Sequence, residues 1–234
     1  MSVQPSETMR AIHEMARTNW QRNREQPTIG LIVGGLAEVP GADAGQMGWA
    51  VLGMSALLSN VGDEIGAGVK ARAFITQTTD GFGSGALLAS AVGCELIAKD
   101  EAPGGGALEV PQEIAARRPG VAANAADIIR ESMGSPEFAD DVLANARDNG
   151  RWAGGGMVSR LTGELPGLDL RQAGLALLTC GGILLHEGTR VGAEEATRGL
   201  FRTRRKAAEG MSFAGIALAG AVMALTGDAC LARA

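Results

Sequence analysis

The sequence predicts an α/β fold, and three observations carry that prediction. Thr28 to Gly35 (TIGLIVGG) is an unbroken apolar run bounded by Pro27 and by glycine, the pattern of a strand buried on both faces of a parallel sheet. Ala73 to Thr78 reads as a second buried strand, with a helix-like segment, Met47 to Val61, between the two. A glycine-rich stretch, Asp80 to Gly85 (DGFGSG), then turns into a small-residue helix, Ala86 to Val92, ahead of a further short apolar strand, Glu95 to Ala98. Strand, helix, strand is a right-handed crossover, which delivers the loops Leu36 to Gln46 and Asp80 to Gly85 to one sheet edge, where α/β proteins place ligands.

The remaining elements follow in order. Ser6 caps a helix on which Met9, Ile12, Met15 and Ala16 recur at helical spacing, and His13 beside Glu14 reads as a surface histidine. Trp49, Leu52, Ala56 and Val61 form the inward face of the Met47 to Val61 helix. Past Ala102, Pro103-Gly104-Gly105-Gly106 is a loop and Ala122 to Met133 a helix with Ala125, Ile128 and Ile129 on one face. Glu137 to Arg147 has helical spacing, and Leu161 to Asp169 is turn-like. Gln172 to Leu185 is a strand or a helix interrupted at Gly181-Gly182; Gly192 to Arg205 is a charged helix, and Ser212 to Leu225 a closing helix of small residues suited to close packing. Residues 1–110 are thus expected to form the strand-helix-strand core and 111–234 a mainly helical part. GALLASAVGCELIAKDEA and GLALLTCGGILLHEG are similar only to the degree that Ala-Leu-Gly composition produces, and no repeat is assigned on them.

Composition narrows the function classes. With 46% hydrophobic and 20% charged residues the 234-residue chain is globular in type, but its 35 glycines and absence of tyrosine require a core of small aliphatic side chains and exclude any mechanism built on a tyrosine acid or base. A net charge of −5 argues against general nucleic-acid binding; the basic run Arg198 to Lys206 reads as a solvated helix face. Cys94, Cys180 and Cys230 are widely spaced in apolar surroundings, as reduced buried thiols of a cytoplasmic protein are. No secretory signal is visible, and the longest apolar run, Phe213 to Leu225, falls short of the ~20 residues a bilayer needs, so a soluble protein without membrane partners is expected.

The chemistry expected of the chain centres on Gly83-Ser84-Gly85. A glycine-lined turn from strand into helix leaves backbone N–H groups unpaired and able to hold an oxyanion. The order TIGLIVGG, a Pro40-Gly41 loop, helix, ARAFITQTT, GFGSGALLA and GCELIA resembles the crotonase and Clp protease superfold, in particular the carboxyltransferase branch that includes the gamma subunit of biotin-independent malonate decarboxylase. The resemblance covers roughly residues 27–110. It implies a crotonase-like core of short parallel strands flanked by helices, acting on an acyl-CoA or acyl-carrier thioester such as malonyl-CoA, with no covalently bound cofactor and with homo- or hetero-oligomeric assembly. One oxyanion donor would come from Gly34 to Leu36 or from near Gly41, and the other from Gly83 to Gly85; Gly35, Gly41, Gly83, Ser84 and Gly85 are therefore the candidate site residues. Losing one such donor costs about 3 kcal/mol of transition-state stabilisation.

Two alternatives stand beside it. Clp-type and signal-peptide-type peptidases place a nucleophilic serine at this turn, the role open to Ser84, yet the only histidines are His13 and His186, and Lys70 or Lys99 would have to serve as base. The run from Gly53 to Gly83 is also similar to the structural half of polyketide synthase ketoreductases, which implies a cofactor-free scaffold that binds a partner and turns over nothing. Glu38, Asp43 and Asp80 are candidate acids or bases in the two loops, and Arg72, Arg117 and Arg118 candidate carboxylate binders.

Overall fold

The computed structural model describes residues 4–25, 27–39, 43–69, 76–103, 124–133, 163–199 and 219–234, with 41, 140 and 144 as single positions. Helix makes up 81% of what is described, and no strand occurs there, so the α/β crotonase-like core expected from the sequence is not formed. The helices are α1 (Glu7–Asn23), α2 (Pro27–Leu36), α3 (Ala44–Val69), α4 (Thr76–Asp100), α5 (Ala125–Met133), α6 (Leu170–Gly199) and α7 (219–231). The expected boundary at residue 110 lies outside the described residues.

Each expected strand has a physical reason to be helical. TIGLIVGG is α2, begun by Pro27 at the first helical position, where a missing N–H costs nothing. An unbroken apolar run is equally the signature of a helix buried on most sides, and α2 buries Ile29, Ile32, Val33 and Leu36. Of the expected strand Ala73 to Thr78, residues 76–78 are the first turn of α4 and the rest falls outside the described residues. Glu95 to Ala98 lies in the last turns of α4, where Glu95 pairs with Lys99 one turn on, at 3.9 Å.

Glycine is what organises these helices. Contacts between α3 and α4 run in opposite directions, Gly48 against Gly93 and Ile97, then Gly45 against Asp100, so the two form an antiparallel hairpin. A methyl built on Gly48 would lie 3.0 Å from the Gly93 carbonyl oxygen, and one on Gly93 would lie 2.9 Å from that of Gly48. The second hairpin, α6 and α7, has the same device twice. Gly174 faces Gly227, with a methyl on either 2.9 and 2.7 Å from the other's carbonyl oxygen, and Gly181 faces Gly220 at 2.5 and 2.6 Å. Real Cβ atoms do not approach so closely, so backbone touches backbone at all three crossings. Residues 44–55 of α3 and 176–185 of α6 are buried without a break, which makes these two the central helices. They pack on one another; α1 covers α4 and α3, α2 lies on α6 and α4, and α5 lies on α6.

The two hairpins are one unit written twice. Glu38, Pro40, Gly41, Asp43, Gln46, Gly48, Ala50, Leu52 and Leu58 match Glu164, Pro166, Gly167, Asp169, Gln172, Gly174, Ala176, Leu178 and Leu184 at a constant spacing, and Gly62, Gly66 and Ala67 match Gly188, Gly192 and Ala193 in the same register. Geometry follows the match. Gly41 (φ 70°) and Gly167 (φ 79°) are the only described residues in the left-handed region, and each turn feeds a capping aspartate. Asp43 Oδ1 accepts from Gln46 N at 3.0 Å, and Asp169 Oδ1 from Arg171 N at 2.8 Å and Gln172 N at 3.1 Å. The halves are tied where the turns meet, Gln172 Nε2 donating to the Gly41 carbonyl at 2.5 Å.

Several local expectations agree with the structure. Ser6 caps α1, its Oγ accepting from Met9 N at 3.2 Å, and Ala125, Ile128 and Ile129 are the buried face of α5. All three cysteines are free and buried; burial pushes the Cys94 and Cys180 thiols up to about 12 and raises that of Cys230. Met15, at helical spacing with Met9, Ile12 and Ala16, is 72% exposed, while Met9 is buried and Ile12, Ala16 and Trp20 pack against the core.

Two helical glycines separate close approach from open space. Gly181→Ala forces a methyl into the backbone of α7 and should cost about 1–3 kcal/mol in chemical unfolding, whereas Gly30→Ala, an exposed helical position with open space around it, should stabilise by about 0.5–1 kcal/mol. Equal effects at the two sites would contradict the helix crossing. Asp43→Ala and Asp169→Ala should each cost about 1 kcal/mol as lost caps, read in the same assay.

Candidate functional site

The expected oxyanion turn does not exist as a turn. Gly83, Ser84 and Gly85 lie well inside α4, beyond its first four residues, where helical backbone N–H groups are engaged by carbonyls one turn earlier. Their side-chain positions are outside the described residues. Gly35 is buried in α2 and faces α6, where a methyl would lie 2.6 Å from Ile183 Cδ1. Gly41 makes its turn against Gln172 and offers a carbonyl to it, not an N–H. Both glycines thus approach α6. Asp80 is helical within α4; Pro40, Lys70, Arg72, Arg117 and Arg118 lie outside the described residues, as does the basic run from 200 onwards.

The structure instead gathers ionisable groups where α3 begins, α4 ends and α1 crosses both. Gly45 is the pivot. A Cβ there would lie 2.5 Å from Asp100 Oδ2 and 3.3 Å from Asp43 Oδ1, so both carboxylates flank the space that glycine leaves. Although Asp100 is exposed on its outer edge, burial on the Gly45 side, then the charges of Asp43 and Glu101, hold its carboxyl above the usual range. His13 of α1 is half-buried, its ring edge-on to Trp49 at 5.3 Å and 67°, where a surface histidine was expected. Burial lowers its pKa; Glu101 and then Glu14 act in the opposite direction. Trp20 Nε1 donates to Glu95 Oε2 at 2.8 Å and fastens α1 to α4.

The duplicated unit supplies an internal control for this end. Asp43 and its turn recur as Asp169 with Gly167, which marks them as parts of the fold. Gly45 does not recur: its counterpart is the exposed Arg171. Aligning Gly93 with Gly227, the partners of Gly48 and Gly174, places Asp100 opposite Ala234 and Cys94 opposite Asp228. Asp228 serves the second half differently, its Oδ2 accepting from Ala125 N at 2.9 Å to hold the start of α5. Burial, and then Asp127, push the Asp228 carboxyl up against that hydrogen bond.

Among the described residues no cluster of three or more His, Cys, Asp or Glu side chains is arranged to hold a metal ion. No described helix is long and apolar enough to cross a membrane. Comparison with protein-family models, with curated proteins and with solved structures returns no match. The sequence places Asp43 at a ligand-bearing edge but, read without its repeat, gives no sign of Asp100 or Glu101 beside it. The signal that would have found them was the Pro-Gly-x-Asp-x-x-Gln-x-Gly motif at 40–48 and again at 166–174, read for where its two copies differ.

A carboxyl raised in the folded state takes up its proton there before the unfolded chain does, so its charge costs stability at neutral pH and that cost disappears as the pH falls through the folded pKa. Asp100→Asn should therefore raise the melting temperature at pH 7, with the gain over the unsubstituted chain shrinking toward pH 4. A gain that grew on acidification would contradict the crowding at Gly45.

Proposed function

We propose that the chain is a non-enzymatic helical scaffold that binds a basic protein segment through the acidic end of its first hairpin. The observation that carries this reading is the divergence between the two halves. The first helix crossing, the turn and the cap are kept in both, while Gly45 and Asp100 of the first half stand opposite Arg171 and Ala234 in the second. A lysine- or arginine-bearing segment is the complement of an end where Asp43, Asp100 and Glu101 lie close enough to repel one another, on a chain that carries −5 overall.

Acyl-thioester carboxyltransfer or decarboxylation, and hydrolysis by Ser84, both drew their geometric support from an exposed turn at Gly83 to Gly85. With that segment inside α4, the partner-binding reading is preferred to either.

Fluorescence anisotropy with a labelled Lys/Arg-rich peptide tests the proposal, with a Glu/Asp-rich peptide and malonyl-CoA as competing ligands. Binding should be confined to the basic peptide and weaken with salt. Asp100→Ala, a substitution at an exposed position, should reduce it about 2–5-fold, the share of one partly screened charge. Binding of malonyl-CoA in place of the peptide, or peptide binding indifferent to Asp100, would overturn the assignment.

A further inference from the structure

No further inference is drawn: the strongest candidate outside that end, the hydroxyl of buried Thr179 where α6 passes Gly35 of α2, without a hydrogen-bond partner among the described residues, is a single polar group beside apolar Ile183, and nothing in the structure shows what would occupy it.

Discussion

Backbone contact between paired helices is the constraint on which the rest of this structure depends. At Gly48 with Gly93, Gly174 with Gly227 and Gly181 with Gly220, each glycine leaves room for the other's carbonyl oxygen. A glycine within a helix costs about 0.5–1 kcal/mol relative to alanine. A Cα–H···O contact of about 0.5–1 kcal/mol, together with dispersion along the two closely apposed backbones, is of the size needed to offset that cost. Close approach also explains how a chain with so few aromatic residues fills its core: when helices sit this near, Ala, Val, Leu and Met suffice. The uninterrupted burial of 44–55 and 176–185 follows from the same geometry, since a helix approached closely on several sides has no solvent face.

Duplication turns that constraint into information about function. Both copies need a turn that enters the left-handed region, a cap for the central helix and a glycine at the first crossing, and both have them at matching positions. Residues that serve the fold are thereby separated from residues that appear once. Gly45 with Asp100 in the first half, and Asp228 with Ala125 in the second, are such differences, and they have different characters. Asp228 is spent within the fold, as the acceptor that fastens α5. Asp100 is left at the surface beside a second carboxylate, Asp43.

Much of the local structure was legible in the sequence, and the fold class was not. Ser6 as a cap, the inward Ile128 and Ile129, the turn before Asp169 and the buried thiols each depend on short-range chemistry that residue type alone specifies. The strands failed because an apolar run without alternation fits a buried helix as well as a buried strand, and TIGLIVGG supplies no period to choose between them. DGFGSG failed for a subtler reason. A glycine run suggests conformational freedom and hence a turn, whereas in this chain glycine repeatedly serves inside helices through its missing Cβ. The repeat is hidden when GALLASAVGCELIAKDEA, which belongs mostly to α4, is compared with GLALLTCGGILLHEG of α6. Those elements are not equivalent: α3 corresponds to α6, and α4 to α7. The candidate site went with the fold, since an oxyanion turn requires the strand that α4 replaces.

Paired glycines bring the helices of each hairpin into backbone contact, and a nuclear Overhauser experiment on the glycine-labelled chain reads that contact. Hα cross-peaks are expected to link Gly48 with Gly93 and Gly181 with Gly220, from residues whose carbon shifts are helical. Strand-like shifts through residues 28–35 and 95–98, with no cross-peak between the paired glycines, would contradict it.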